Sequence, residues 1–307
     1  MKKTLTLLLA ALLILGMAAC GTAAPSSKTL TLGALPSIDV IPFVIAEQQG
    51  YFKKYGLTFK LELFKSAKDR DAAFQSGALD GFCCDEVAVC IYQNSGTDLK
   101  ITGMTDGEYA LVVGKDSGIA DLAGMKGRSV AISEKTLIEF VLDKILEKGG
   151  LSPSDVVKTA VPAVPVRLEM LNAGQADAAL LPEPFAIFAE NGGGKRLSSA
   201  TQIGLYPSVI AFEKKVIDSG RADIAAMYKA YNDAVDYLNS TPISEYEDLI
   251  IKTVGYPEEM RGKIKLPKFT KDMMPTEADL AVVVAWASAK GLCASTLAPK
   301  DLVENVR

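Results

Sequence analysis

The chain has 307 residues, and 33 Lys or Arg against 37 Asp or Glu give it a formal net charge of −4 at neutral pH. This acidic balance, without a continuous basic run, argues against nucleic acid as a partner. The complete absence of histidine excludes Ser-His-Asp and Cys-His catalysis, histidine-containing zinc sites and the HExxH peptidases.

Residues 1–19 have the pattern of a secretory signal. Lys2 and Lys3 precede an apolar run over 5–15, which is short for a membrane span, and small residues follow. The alternative is a single membrane anchor. The small residues directly before Cys20 resemble the lipobox of bacterial lipoproteins, and this resemblance implies lipidation of Cys20 and cleavage before it. Residues 20–28, rich in Ala, Ser and Gly, are then expected to form a flexible tether.

Strands and helices are predicted to alternate through the following residues, from apolar alternation and from helical periodicity closed by glycine. The predicted strands are "TLTLGAL" (29–35), "LTFKLELF" (57–64), "LDGFCC" (79–84), "DLKITGM" (98–104), "YALVVG" (109–114), "RSVAIS" (128–133) and "ADAALLPEP" (176–184). The predicted helices are "PFVIAEQQGYFKKYG" (42–56), "KDRDAAFQSG" (68–77), "TLIEFVLDKILEKGG" (136–150) and "VRLEMLNAG" (166–174). Such alternation with short connections predicts an α/β fold of mostly parallel sheets with helices on both faces.

The last third of the chain is predicted to be helical. The helical stretches are "ADIAAMYKAYNDAVDYLNS" (222–240), "SEYEDLIIKTVG" (244–255) and "EADLAVVVAWASAKGL" (277–292). We expect them to pack on the first lobe, with Trp286 in the core rather than in a site.

A weak internal repeat connects "FQSGALDGFCCDE" (74–86) with "LNAGQADAALLPE" (171–183). The Gly, Asp and Glu of the two copies are each separated by 97 residues. Each copy predicts a buried strand followed by a glutamate, Glu86 or Glu183. Because ligands of open parallel sheets bind beyond the carboxyl ends of strands, the repeat predicts two similar lobes whose glutamates face one cleft. A chance recurrence of common loop residues is the alternative.

The cysteines other than Cys20 are predicted to be buried hydrophobic residues. Adjacent cysteines do not easily bridge each other, and the spacing of Cys84 and Cys90 is not that of a zinc finger. A metal-binding protein that uses these thiols with the neighbouring acids remains an alternative, but we expect neither a metal nor a cofactor. The four cysteines are Cys83, Cys84, Cys90 and Cys293.

The stretches "FVIAEQQGYFKKYGLTFKLELF" (43–64), "FQSGALDG" (74–81), "LLPEPFA" (180–186) and "VAWASAKGL" (284–292) resemble a known family. They are similar to ABC-transporter substrate-binding proteins for aliphatic sulfonates, nitrate or thiamine pyrimidine precursors. The resemblance implies a two-lobed type II periplasmic-binding fold with a hinge, which closes on a small molecule and delivers it to a membrane permease with its ATPase. The expected lobes are 29–113 with 206–307, and 114–205, in a monomer held at the extracytoplasmic face of the membrane by lipid on Cys20.

The resemblance also implies ligand-binding residues at strand ends. A capping role for Ser133 and a turn role for Asp106 are the alternatives for those two residues. The implied residues are Ser37, Asp39, Phe64, Cys84, Asp85, Glu86, Met104, Thr105 and Asp106 in the first lobe, and Ser133, Lys135, Thr136 and Glu183 in the second.

The excess of acids at these positions favours a neutral or cationic ligand rich in N–H groups. Sulfonate binders have a Gly-Ser/Thr-rich turn at a helix N-terminus, where this chain has Glu134 and Glu139. A thiamine pyrimidine precursor or a related vitamin is therefore the expected ligand, and a sulfonate or nitrate is the alternative within the class. The family also has an enzyme branch that makes the thiamine pyrimidine from its own histidine with pyridoxal phosphate and iron. Because this chain lacks histidine, we expect a binding protein and not an enzyme.

Overall fold

The computed structural model describes residues 28–307, which fold into two lobes, each built around a five-stranded sheet. The strands are β1 (Leu30–Ala34), β2 (Phe59–Leu63), β3 (Gly81–Asp85), β4 (Leu99–Met104), β5 (Tyr109–Val113), β6 (Ser129–Ile132), β7 (Val157–Ala160), β8 (Ala178–Pro182), β9 (Lys195–Ser199) and β10 (Ser208–Glu213). The first sheet has the order β2-β1-β3-β10-β4, and the second has the order β7-β6-β8-β5-β9. The predicted signal and the lipidation site Cys20 lie outside the described residues.

The α-helices cover both faces of the sheets, as predicted. They are α1 (Ile41–Gln48), α2 (Tyr51–Lys54), α3 (Ala67–Gln75), α4 (Glu86–Asn94), α5 (Leu137–Lys148), α6 (Val164–Asn172), α7 (Phe185–Asn191), α8 (Lys214–Ser240), α9 (Glu247–Val254) and α10 (Glu277–Ala289). The single helix predicted over 42–56 is two helices, α1 and α2, because Gly50 between them has a left-handed φ of 72°. Glycine adopts this conformation without steric cost, and a continuous helix cannot contain it.

Four strands of each sheet run in one direction, and the fifth runs against them. The antiparallel strands are β10 in the first sheet and β5 in the second. Each of these strands begins where the chain has just crossed from the other lobe. It therefore enters its sheet at the edge where the other strands end, which explains the reversed direction.

The structure places the first boundary between the lobes earlier than the sequence-based one. The chain crosses between the sheets at 105–108 and again at 200–207. The prediction assigned 29–113 to the first lobe, whereas strand β5 (Tyr109–Val113) pairs with β8 and β9 of the second. Strands β7, β9 and β10 were not predicted. Strands β7 and β9 are short edge strands, and β10 leads directly into α8.

The internal repeat corresponds to the same local structure in both lobes. The Asp80 carboxylate accepts the Thr31 N–H at 2.9 Å, and the Asp177 carboxylate accepts the Ser129 N–H at 2.8 Å. Each aspartate thus precedes one strand and fixes the start of the neighbouring parallel strand. This role in fixing the register of neighbouring strands explains why the repeat contains an Asp at the same place in both copies.

Two large apolar clusters stabilise the first lobe, and one of them extends into the second. Helices α1 and α8 pack on one face of the first sheet, where Phe43 and Tyr231 are fully buried. On the opposite face, α4 and α10 share a continuous core with α5 of the second lobe. Within residues 28–307 no helix has both the length and the apolar character needed to cross a membrane.

Candidate ligand-binding cleft

A cavity of about 480 Å³ lies between the lobes, beside the two segments that connect them. Both connecting segments, the second lobe and the C-terminal region contribute to its wall. The polar residues that line it are Asp106, Glu108, Glu183, Thr201, Tyr206, Tyr256, Lys265, Lys268 and Thr270. Its size and interlobe position are those of a site for a small molecule.

The protein engages the two acids of the first connecting segment only in part. One oxygen of Asp106 accepts the Thr270 N–H at 2.9 Å. The Glu108 carboxylate is 3.5 Å from the Thr201 nitrogen, which is a weak contact. Burial raises the pKa of Asp106 above its usual value.

Glu183 has both carboxylate oxygens bound within its own lobe. One oxygen accepts from the Arg196 guanidinium, and the other accepts the Ile187 N–H in the first turn of α7 at 3.1 Å. Burial raises the pKa of Glu183, and Arg196 opposes this change. Arg196 also contacts Glu190 at 2.7 Å.

The basic residues of the cavity are not engaged in this way. Lys265 and Lys268 line the cavity with exposed side chains. Neither ammonium group is paired with a carboxylate in the described part of the chain. Tyr256 is 3 % exposed, and its hydroxyl has no hydrogen-bond partner among residues 28–307. The cavity therefore offers two unpaired cations and a free hydroxyl.

Three of the predicted residues form one hydrogen-bonded group in the first lobe. Ser37 donates to Asp39, and the Thr105 hydroxyl lies 3.4 Å from the other Asp39 oxygen. Burial raises the pKa of Asp39, and the two hydroxyls oppose this change. The group links the end of β1 to the first connecting segment, next to Ile38, which lines the cavity.

Phe64, Cys84 and Met104 serve packing in this structure. All three contact the apolar cluster shared by the first sheet and α10. Burial raises the pKa of the Cys84 thiol well above its usual value, so this thiol stays protonated and unreactive at neutral pH. Within residues 28–307 no group of three or more Cys, Asp or Glu side chains could hold a metal ion.

Asp85 and Glu86 occupy the start of α4. The Asp85 carboxylate caps the helix by accepting the Ala88 N–H at 2.8 Å, and burial raises its pKa to about 6. Glu86 is 2 % exposed, and one of its carboxylate oxygens has no partner among the described residues. Burial, with Asp279 and Asp85 nearby, raises the Glu86 pKa to about 8. Glu86 does not line the cavity, whereas Glu183 does.

The predicted residues before α5 build the start of that helix. Thr136, and not Ser133, is the cap: its hydroxyl accepts the Ile138 N–H at 3.2 Å and donates to the Ser133 carbonyl at 2.7 Å. Lys135 has a left-handed φ of 57°, and its N–H donates to Glu139 at 2.7 Å. This turn does not line the cavity either.

The residues that sequence reasoning missed come from a segment without periodicity. Lys265 and Lys268 belong to the stretch over 262–271, which contains four lysines and returns from α9 to the cleft. This concentration of lysine in an acidic chain was the available signal. Arg196 lies on a polar edge strand, where nothing local indicates its pairing with Glu183.

The sequence profile of the NMT1-like family matches residues 23–252. A relative from Brachyspira hyodysenteriae, named as an ABC transporter periplasmic binding protein, is 23% identical over 275 residues, which cover 81% of this chain and 79% of the relative. A relative from Bacillus subtilis with the name of an aliphatic sulfonates-binding protein is 28% identical over 249 residues, covering 76% and 74%. Both names agree with the prediction of a binding protein rather than an enzyme.

Solved structures share the fold. The periplasmic aliphatic sulphonate binding protein of Escherichia coli superposes with a TM-score of 0.76 at 20% identity, over 91% of this chain and 93% of that one. The periplasmic nitrate-binding protein of Synechocystis gives a TM-score of 0.69 at 17% identity, over 89% and 84%. The predicted two-lobed periplasmic-binding fold is thereby confirmed.

Proposed function

The chain belongs to the NMT1-like family, and from this premise we propose that it is the solute-binding protein of an ABC importer for a small organic anion of the alkanesulfonate class. The observation that carries the choice of ligand is the pair Lys265 and Lys268. Both line the interlobe cavity, and neither is paired with a carboxylate among the described residues. A sulfonate oxygen is a suitable acceptor for such ammonium groups.

Most of the acidic residues from which the sequence predicts a cationic ligand already accept hydrogen bonds from the protein itself. Asp39 accepts from two hydroxyls, Asp85 caps α4, and both oxygens of Glu183 are bound. Glu86 lies outside the cavity lining. Asp106 keeps one free oxygen and Glu108 makes only a weak contact, so it is the two unpaired lysines, and not an absence of acids, that favour an anion. The names of the B. subtilis relative and of the E. coli structure, both sulfonate binders, support the same class.

In this proposal the protein binds the ligand and closes its two lobes around it, and it catalyses no reaction. The acidic group of the ligand meets the two lysines, and its apolar part meets Ile38, Ile187 and Leu266 of the cavity wall. Movement at 105–108 and 200–207 closes the lobes on the ligand. The closed protein, a monomer anchored outside the cytoplasm by lipid on Cys20, then delivers the ligand to the permease and its ATPase.

Calorimetric titration with butanesulfonate tests the proposal. The double variant Lys265→Gln/Lys268→Gln is expected to bind about five- to tenfold more weakly than wild type at low ionic strength, because exposed ion pairs contribute up to about 1 kcal/mol each. The difference should shrink in high salt. Lys263→Gln is the matched control, since Lys263 is exposed in the same segment but does not line the cavity. Wild type that gives no binding heat with butanesulfonate would contradict the proposal.

A thiamine pyrimidine precursor is the second candidate. The observation in its favour is that Asp106 uses one oxygen for Thr270 and that the contact of Glu108 with Thr201 is weak. Their free oxygens could accept from an aminopyrimidine. Titration with the aminopyrimidine precursor of thiamine, in parallel with butanesulfonate, separates the two ligands.

A further inference from the structure

The Tyr256 hydroxyl is a buried polar group that lines the interlobe cavity. Tyr256 is 3 % exposed, and its hydroxyl has no hydrogen-bond partner within residues 28–307. Four other side chains of the described chain also have a buried polar atom without a partner, but none of them lines the cavity. They are Glu86, Tyr92, Arg167 and Tyr231. Tyr256 thus combines an unused hydroxyl with a place in the cavity wall.

The second lobe holds the Tyr256 ring in place, although Tyr256 follows helix α9. That helix ends at Gly255, which has a φ of 87°. The Tyr256 ring packs against Phe188 of α7 with centroids 5.7 Å apart and an interplanar angle of 84°. Four residues later, the Met260 sulfur accepts from the Asn191 amide of the same helix at 2.8 Å. The hydroxyl oxygen therefore has a defined position before a ligand binds, which limits the entropy lost on binding.

The buried and exposed parts of the cavity wall differ in charge. Lys265 and Lys268 are exposed residues of the wall, whereas Glu183 is 6 % exposed. Glu183 and Glu190 share the single guanidinium of Arg196, so this group is net negative. Like charges repel, so a sulfonate is favoured beside the lysines and disfavoured beside Glu183.

The Tyr256 hydroxyl is suited to a neutral partner. Burial and the nearby Glu183 charge raise the pKa of Tyr256, so the phenol remains protonated at neutral pH and can donate a hydrogen bond. A ligand hydroxyl can accept this bond and can donate in turn to Glu183, since each carboxylate oxygen has two lone pairs.

We propose that Tyr256 donates a hydrogen bond to a second polar group of the ligand, at the end remote from the sulfonate, and that the protein therefore prefers hydroxyalkanesulfonates to alkanesulfonates of the same size. This inference rests on the proposed function, because it takes the two lysines as the site of the sulfonate. The carbon atoms between the polar ends meet Ile38 and Ile187 of the cavity wall. A site with a buried hydroxyl discriminates against an analogue that leaves this group unpaired.

Calorimetry with matched pairs of ligands tests the preference. In each pair a terminal hydroxyl replaces a terminal methyl group: 3-hydroxypropanesulfonate is compared with butanesulfonate, and 4-hydroxybutanesulfonate with pentanesulfonate. Wild type should bind the hydroxylated member of at least one pair about three- to tenfold more tightly, the value of a neutral hydrogen bond. In Tyr256→Phe this preference should disappear, while butanesulfonate should bind as it does to wild type.

Thermal unfolding without ligand distinguishes a ligand donor from a structural hydroxyl. Tyr256→Phe should unfold at the same temperature as wild type or higher, because the hydroxyl has no partner to lose. Tyr231→Phe is the matched control. Tyr231 is fully buried, and its hydroxyl also lacks a partner among the described residues, but it does not line the cavity. This variant should keep the wild-type preference for the hydroxylated ligand.

The outcomes separate this inference from the proposed function. If wild type binds butanesulfonate but shows no preference in either pair, the inference is wrong and the proposed function stands; this comparison needs no variant. The inference is also wrong if Tyr256→Phe retains the preference, or if its unfolding midpoint falls by several degrees. If wild type binds none of the four sulfonates, the proposed function is overturned, and the inference with it.

Discussion

Trp286 donates its indole N–H to the Asp143 carboxylate at 3.0 Å, and this bond joins helices of different lobes. The same carboxylate contacts the ammonium groups of Lys158 at 2.5 Å and Lys290 at 3.3 Å. Glu139, one turn before Asp143, contacts both lysines at 2.7 and 2.6 Å. These five residues form a partly buried interlobe cluster that ties α5 to the C-terminal helix α10.

The first prediction concerns Trp286→Phe. The Phe140 ring packs against Trp286 with centroids 5.5 Å apart, and phenylalanine keeps an aromatic contact while it removes the donor to buried Asp143. The free energy of unfolding should fall by about 1–3 kcal/mol, because a buried acceptor loses a hydrogen bond. Circular dichroism in denaturant measures it, since Trp286 is the only tryptophan. A loss below about 0.5 kcal/mol would show that the bond does not stabilise the interlobe cluster.

The second prediction concerns acid stability through Glu139. Burial alone would raise the Glu139 pKa, but hydrogen bonds from the Lys135 N–H and from Lys158 and Lys290 lower it to about 2. A lowered pKa stabilises the fold above the unfolded value near 4.5, and this stabilisation disappears as pH falls toward 2. Glu139→Gln should therefore cost about 1–3 kcal/mol at pH 7 and almost nothing near pH 2. Glu147→Gln, an exposed position on the same helix, should show no such pH dependence in denaturant unfolding.

The fold could be predicted from sequence largely because strand periodicity and the two-lobe repeat are local properties. The repeated Asp80 and Asp177 fix strand register in both lobes, so their pattern reflects a real local requirement. The antiparallel direction of β5 and β10 could not be predicted, because it depends on the path of the chain between the lobes. For that reason β5 was assigned to the wrong side of the boundary.

The residues of the candidate site were harder to predict from the sequence than the fold. The sequence predicts that carboxylates at strand ends bind the ligand, but Asp85 caps a helix and Glu183 pairs with Arg196. A carboxylate that caps a helix and one that binds a ligand have the same sequence signature. Lys265 and Lys268 reach the cavity only through the tertiary path of an irregular segment, which no periodicity reveals.

The third prediction concerns alkaline stability through Glu86. Burial, with Asp279 and Asp85 nearby, raises its pKa to about 8. A carboxyl group with a raised pKa favours the fold while it is protonated, and this contribution is lost as pH rises from about 4.5 through 8. Glu86→Gln should therefore stabilise the protein, by about 2–4 kcal/mol near pH 9 and by little near pH 5.

Denaturant unfolding at several pH values measures the effect of Glu86→Gln. The control is Glu277→Gln, an exposed position in the first turn of α10. A Glu86→Gln protein whose stability has the same pH dependence as wild type would show that Glu86 is not the titrating group.

The fourth prediction concerns Cys20, which precedes the described residues. Cys20→Ser should remove the lipid attachment and leave an unprocessed precursor or a secreted form, because acylation requires the thiol. Partition between detergent and aqueous phases measures the change in cells that export the protein. If the variant still enters the detergent phase as wild type does, Cys20 is not the anchor.

The last prediction uses Glu183→Gln to separate the two ligand classes. The Gln side chain can still accept from the Ile187 N–H, but it removes the charge that engages Arg196. Glu190 continues to hold Arg196, so the fold should persist while the cavity wall becomes more positive. Butanesulfonate should then bind as well as or severalfold better than to wild type, since a nearby like charge is removed.

An aminopyrimidine would respond in the opposite direction. Its acceptors are the free oxygens of Asp106 and Glu108, so Glu183→Gln should weaken its binding only severalfold, through the loss of a nearby negative charge that favours an N–H-rich ligand. The matched control is Glu190→Gln, which also removes a charge beside Arg196 but does not line the cavity. Calorimetry with both ligands on wild type and the two variants gives the sign of each change. Weaker butanesulfonate binding in Glu183→Gln alone would contradict the anion proposal, because only a cationic or N–H-rich ligand benefits from this carboxylate.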